Sequence, residues 1–158
     1  MATLEQLEAG GHLHRYDAAL ESWEMPDRYV THTTDWDTWF EQQLKQVAAK
    51  RGRNLSPYEQ VEQILYDFVT GRPMAYGVDY KKLEPIGQNV WELKTPDVRV
   101  FGWLVRKRHF VAVCGDLKDN LTTMKAYRPH VKTVFEFRNT LDLDPPKAVL
   151  GVVANDVL

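Results

Sequence analysis

Between Asn89 and Cys114 the chain turns into three short blocks rich in β-branched and aromatic residues, and the turns between them leave little choice of fold. Asn89-Val90-Trp91-Glu92-Leu93-Lys94 alternates after a turn at Gly87, and Thr95-Pro96-Asp97 is a second turn. Val98 to Val105 reads as the next strand and Arg106-Lys107-Arg108 as a charged hairpin tip. His109 to Cys114 follows as a third strand with Phe110-Val111-Ala112-Val113 at its apolar centre. Connections this short join antiparallel neighbours, because a parallel pair needs a crossover of a dozen residues or more. The three blocks are therefore expected to form an antiparallel meander. Gly102, in the middle of the second block, marks a bulge or a close backbone approach.

The segment ahead of the meander is helical. Residues 28–33 read as a short strand, after which Thr33 or Thr34 can cap a helix with Asp35 and Asp37 in its first turn. Trp36, Phe40, Leu44 and Val47 make one apolar stripe, and Lys50-Arg51-Gly52 is a suitable helix end. Ser56-Pro57-Tyr58-Glu59 combines an N-cap serine, a proline at the first helical position and a capping-box glutamate. Val61, Ile64, Leu65, Phe68 and Val69 are the buried face of that second helix, which Gly71 and Pro73 stop. A last helix is expected from about Pro129 to Leu141. Residues 3–24 suggest two short helical pieces divided by Gly10-Gly11, the second around Tyr16 to Trp23. The apolar run Val149-Leu150-Gly151-Val152-Val153 suits docking or edge pairing.

These elements predict an α+β fold: an antiparallel sheet of about four strands, a helical hairpin on one face and a terminal helix. Residues 1–26 would be an N-terminal helical extension, 27–144 the main domain and 145–158 a tail. A hydrophobic fraction of 44% suffices for a core. No stretch approaches the ~20 apolar residues of a membrane span, so no membrane partner is expected. Met1-Ala2-Thr3-Leu4-Glu5 lacks the charged and apolar regions of a signal peptide, and Cys114 is the sole cysteine. Both favour a cytoplasmic location. Charge is uneven: residues 1–74 hold 7 Lys/Arg against 12 Asp/Glu, residues 75–158 hold 13 against 10. That asymmetry hints at a polyanion-facing half, while a pI near 6.2 argues against a dedicated nucleic-acid binder.

One family shares this order. Trp91-Glu92-Leu93-Lys94, a short turn and then Val98-Arg99-Val100-Phe101 resembles the paired-strand pattern of the RelE/ParE toxin superfamily. Phe110 to Lys118 is similar to the family's next strand, which ends in a small residue and a lysine, and Lys82-Leu83-Glu84-Pro85-Ile86 is similar to the approach to that sheet. The likeness spans residues 28–140 and points to a phage-derived RelE-like (HigB-like) branch. It implies a toxin of a toxin–antitoxin pair. Many relatives enter the ribosomal A site and cut mRNA there, and others inhibit gyrase. An implied partner is thus the ribosome with its mRNA, together with an antitoxin.

RNA cleavage through the 2′-hydroxyl needs a proton acceptor, a proton donor and positive charge on the pentavalent phosphate. Lysine and arginine supply that charge with no cofactor. The resemblance implies catalytic roles for Arg99, Lys94 and Lys118, with Tyr127 and His130 as the available proton-transfer residues. Arg106, Lys107 and Arg108 form the densest basic run and can either grip an RNA backbone or keep a hairpin soluble. His130, just after Pro129, also suits a plain helix start. Val90 and Glu92 stand where strongly ribonucleolytic relatives carry lysines, and a glutamate there repels phosphate unless it pairs with Lys94 or Arg99. These departures, with the acidic N-terminal half, leave a second expectation open: a non-catalytic, phage-derived binding module that blocks a host protein. His12 and His14 lack further ligands for a metal, and Cys114 in an apolar strand reads as a core residue.

Overall fold

The computed structural model describes residues 1–83, 88–149 and 158. Among them, six strands form one open mixed sheet in the order β1-β2-β6-β5-β4-β3. The strands are β1 (His14–Arg15), β2 (Tyr29–His32), β3 (Tyr80–Lys82), β4 (Trp91–Lys94), β5 (Val98–Arg106) and β6 (His109–Leu117). The helices are α1 (Leu4–Ala9), α2 (Thr34–Thr38), α3 (Pro57–Val69) and α4 (Met124–Thr140). The class is α+β, but the expected four antiparallel strands need correction. The meander pairs antiparallel throughout, whereas β2 lies parallel to β6. Residues 33–79, which carry α2 and α3, separate β2 from the meander and supply the crossover that a parallel neighbour requires. β1 and β3 escape sequence reading because two and three residues are too few to show a period of two.

Both faces of the sheet are covered. Val98, Val100 and Leu104 of β5 pack with Trp36, Phe40, Val61, Leu65 and Phe68 beneath α2 and α3. Phe101, Trp103 and Val105 of the same strand pack with Leu4, Leu7, Val131 and Val134 beneath α1 and α4. This two-sided burial explains why β5 reads as a near-continuous apolar run rather than an alternating one. Each such large side chain removed from water stabilises the fold by about 1.5–3 kcal/mol.

The helix signals hold where the caps are strong. Ser56 Oγ accepts from Glu59 N while Glu59 Oε1 accepts from Ser56 N, so the capping box forms. Thr33 Oγ1 accepts from Trp36 N and caps α2. That helix is shorter than its apolar stripe suggests. It passes into a π-turn at Trp39–Gln43 and a 3₁₀ turn at Leu44–Gln46, and so stops before Lys50. The terminal helix begins five residues earlier than expected, at Met124, with Pro129 inside it. His130 is therefore mid-helix and not at a helix start.

Residues 1–26 are not a purely helical extension. α1 forms and buries Leu4 and Leu7, but the second helical piece does not: His14 and Arg15 pair with His32 and Thr31 as an edge strand. Ala2 N donates to Asp142 O, tying the N-terminus to the end of α4. In the tail, Val149 N donates to Leu104 O, and Trp103 Nε1 donates to Lys147 O. The remainder of the expected edge segment, from Leu150 to Val153, lies outside the described residues, as do Glu84 to Gly87. Among the described residues no helix is long and apolar enough to cross a membrane.

One irregularity decides which way β6 faces. Phe101 pairs with Cys114, yet Gly102 pairs with Ala112, so Val113 is an extra residue on β6. A Cβ on Gly102 would lie 1.8 Å from Val111 O, so the close approach at this bulge requires glycine. Val111 and Val113 both pack toward α4, and strict alternation would continue with Gly115 and Leu117. The bulge shifts the phase instead: Leu117 joins the opposite core and Asp116 pairs with Arg99. Gly102→Ala is expected to destabilise the protein by about 3 kcal/mol in urea unfolding. An unchanged midpoint would contradict this role for the glycine.

Candidate active site

At the end of the sheet where β5 starts and β6 finishes, Lys94, Arg99 and Asp116 are cross-strand partners on β4, β5 and β6. Glu92 stands two residues before Lys94, on the same side of β4. The N-terminal half of α4 covers this row. Tyr127 and His130 are three residues apart and hence on one helix face. Both rest on Phe101: the His130 ring stacks on it at 4.8 Å and 11°, and Tyr127 meets it edge-on at 5.8 Å.

The imidazole is firmly held. His130 Nε2 lies 3.0 Å from Asp116 Oδ2. Asp116 Oδ1 accepts from Asn120 Nδ2 and from Leu117 N, both at 2.8 Å. A carboxylate fixed in this way selects the tautomer with the proton on Nε2, which leaves Nδ1 with the lone pair. The His130 side chain is partly exposed. An aspartate–histidine pair of this kind suits general acid–base work.

Beside it lies a drier group. Glu92 is 3% exposed and Arg99 is 7% exposed. They form an ion pair, with Arg99 Nε 3.8 Å from Glu92 Oε2. Arg99 Nη1 donates to Thr95 O at 2.6 Å and Val98 O at 2.9 Å. Among the described residues, Arg99 Nε and Glu92 Oε2 have no hydrogen-bond partner. Burial pushes the Glu92 carboxyl above its ordinary range, while Arg99 pulls against that shift. Burial likewise raises the Tyr127 phenol, with Glu92 adding to the shift and Arg99 opposing it. The four polar groups, with Asp116 behind the imidazole, bring together a proton-accepting imidazole, a phenol, a carboxyl of raised proton affinity and a fixed positive charge.

The anchor for Arg99 is set from the other face of the sheet. Gln60 of α3 donates from Nε2 to Asp97 Oδ2 at 2.7 Å and accepts at Oε1 from Asp97 N and Thr95 Oγ1, both at 3.0 Å. Asp97 is also paired with Arg53 at 3.2 Å and Lys50 at 3.5 Å. This node fixes the turn between β4 and β5, and so the two carbonyls that hold Arg99.

The expected residues thus divide into four groups. Arg99, Tyr127 and His130 come together. Lys94 stands at the rim, and its Nζ is engaged by Gly77 O at 2.8 Å. Lys118 is exposed on the 3₁₀ turn after β6 and makes no contact with the cluster among the described residues. Arg106, Lys107 and Arg108 are at the far end of β5, roughly 23 Å along the strand at ~3.3 Å per residue. Two of these three are already paired with acids, Arg106 with Glu5 at 3.0 Å and Arg108 with Asp27 at 3.6 Å. They do not share a surface with the cluster. Two members were not foreseen as functional. Glu92 looked like a group that repels phosphate, and its pairing with Arg99 removes that objection. Asp116 gives no signal in the sequence, because the bulge alone turns it toward α4. Comparison with known proteins gives no match: no family model, curated protein or solved structure aligns with this chain.

The raised Glu92 fixes the sign of a pH effect. The folded state holds this proton to higher pH than the unfolded chain does, so its contribution to stability falls as pH rises from about 4.5 through the folded pKa. Urea midpoints of wild type and Glu92→Gln across pH 4 to 8 should diverge accordingly, the wild type losing ground as pH rises. Parallel curves would contradict a raised pKa.

Proposed function

We propose that this chain is a RelE-like toxin that acts on translation as a metal-independent mRNA endonuclease, neutralised by an antitoxin. The observation that carries this reading is the convergence of Arg99 on β5 with Tyr127 and His130 on α4, whose two rings rest on Phe101. The ribosome is the implied setting because the cluster is recessed and RNA must be presented to it in an unstacked conformation.

In this reading His130 Nδ1 takes the proton from the ribose 2′-hydroxyl, and Asp116 stabilises the imidazolium that results. The 2′-oxygen attacks phosphorus and displaces the 5′-oxygen of the next nucleotide. Tyr127 donates the proton to that leaving oxygen, and the neighbouring Arg99 charge favours the phenolate that results. Arg99 is too buried to clasp a phosphate, and acts by holding positive charge close beneath the reacting centre.

Expression of wild type and His130→Gln in a bacterial host, with mRNA 5′ ends mapped, tests the proposal. Wild type should arrest growth and create new in-frame cleavage sites. The variant should keep its melting temperature and lose cleavage by about 10²- to 10⁴-fold. The second reading, a binding module that blocks a host protein, is favoured by one observation: Arg99 Nη1 is already engaged by two backbone carbonyls. Arrest by both proteins without mRNA cleavage would select it.

A further inference from the structure

Tyr127 belongs to two places at once. One side meets the cluster, and the other helps to line a cavity of about 690 Å³. Among the described residues its walls are Gln88 and a single stripe of α4: Met124, Tyr127, Arg128, Val131, Lys132 and Phe135. The spacing of three and four residues puts these side chains on one helix face. The volume is within the roughly 300–1,000 Å³ of small-molecule and nucleotide pockets. Its floor at Val131 belongs to the core beneath α4, while Met124 is 62% exposed.

Its electrostatics are one-sided. α4 carries Lys125, Arg128, Lys132 and Arg138 against Glu136 alone. Arg138 is buried and donates to Asn89 O, so it serves the fold. Lys132 pairs with Glu136 at 3.8 Å, but both are well exposed and the pair is weak. Lys125 and Arg128 have no acidic partner among the described residues. A cavity walled by aromatic and aliphatic groups and rimmed by cations matches a single-stranded polynucleotide, whose bases stack and whose phosphates are negative. A duplex hides its bases in the stack, and an acidic peptide would leave Tyr127 and Phe135 without flat partners.

Resting on the reading that RNA is the substrate, we infer that this cavity holds the unstacked bases beside the scissile phosphate of single-stranded RNA. Bases stack on Tyr127 and Phe135, Arg128 and Lys132 neutralise the adjoining phosphates, and the Gln88 amide meets a base edge. RNA bound there is held by base stacking as well as charge, and Tyr127 is the residue that the cavity shares with the cluster.

The test is fluorescence anisotropy with a labelled 2′-O-methyl RNA ten-mer, which lacks the attacking hydroxyl and so reports binding alone. Wild type should bind the single strand and prefer it to the matching duplex. Phe135→Ala should weaken binding about tenfold. Arg128→Gln with Lys132→Gln, both at exposed positions, should reduce the slope of log affinity against log salt by about 1.4. Lys107→Gln, at the distant hairpin tip, should change neither. Equal affinity for duplex, or unchanged binding in both cavity variants, would overturn the inference. If the ten-mer binds as described but mRNA is never cut, the cavity stands and the nuclease reading falls. If mRNA is cut while the cavity variants bind as wild type, the inference alone fails.

Discussion

The close approach of Gly102 to the carbonyl of Val111 is the constraint on which the site depends. A strand has a period of two, so each face of β6 is fixed once its register is fixed. The extra residue at Val113 breaks that phase in the middle of the strand. Above the bulge, Val111 feeds the core beneath α4; below it, Leu117 feeds the core beneath α2 and α3. Asp116 is thereby delivered to the α4 side, opposite Arg99 and within reach of His130. Without the bulge the imidazole would have no carboxylate.

A second constraint is charge balance in a dry place. Glu92 and Arg99 are each too buried to be left unpaired, and removing either one strands the other. Their ion pair is longer than a good hydrogen bond, and one atom of each lacks a partner among the described residues. Such a pair is weak evidence for stability and better evidence for function, since perturbed titratable groups cluster where chemistry is done. The arginine is held by the turn that Gln60 and Asp97 organise from the far side of the sheet. Despite the opposing effect of burial, hydrogen bonds from Gln60 and Arg53 keep the Asp97 carboxyl below its ordinary range. The two helical layers therefore share the work: α3 fixes the turn that holds Arg99, and α4 carries Tyr127 and His130.

Much of the fold was legible because its signals are local. The capping box at Ser56, the stripe of α3 and the turns of the meander each rest on a few neighbouring residues. What was not legible depends on distant partners. β1 is two polar residues that become a strand by pairing with β2. α2 leaves α-helical geometry after Thr38, although its apolar stripe continues to Leu44. Pro129 looked like a helix boundary, yet α4 extends five residues ahead of it and so carries Tyr127 and His130 on the same face. In the site, Arg99 matches a strand arginine of the family it resembles and Tyr127 and His130 are simply the proton-transfer residues available, while Asp116 is hidden by the bulge. For Glu92 the sequence leaves two outcomes open, repulsion of phosphate or pairing with Lys94 or Arg99, and the pair with Arg99 is the one that forms.

The proposed cleavage directs a 2′-oxygen onto phosphorus, and the ends of the cut RNA report that most directly. Purified protein would be added to ribosomes carrying a defined mRNA, and the termini of the products analysed. Attack by the 2′-oxygen predicts 2′,3′-cyclic phosphate on the upstream fragment and 5′-hydroxyl on the downstream one. Fragments with 5′-phosphate ends, or mRNA left intact, would contradict it.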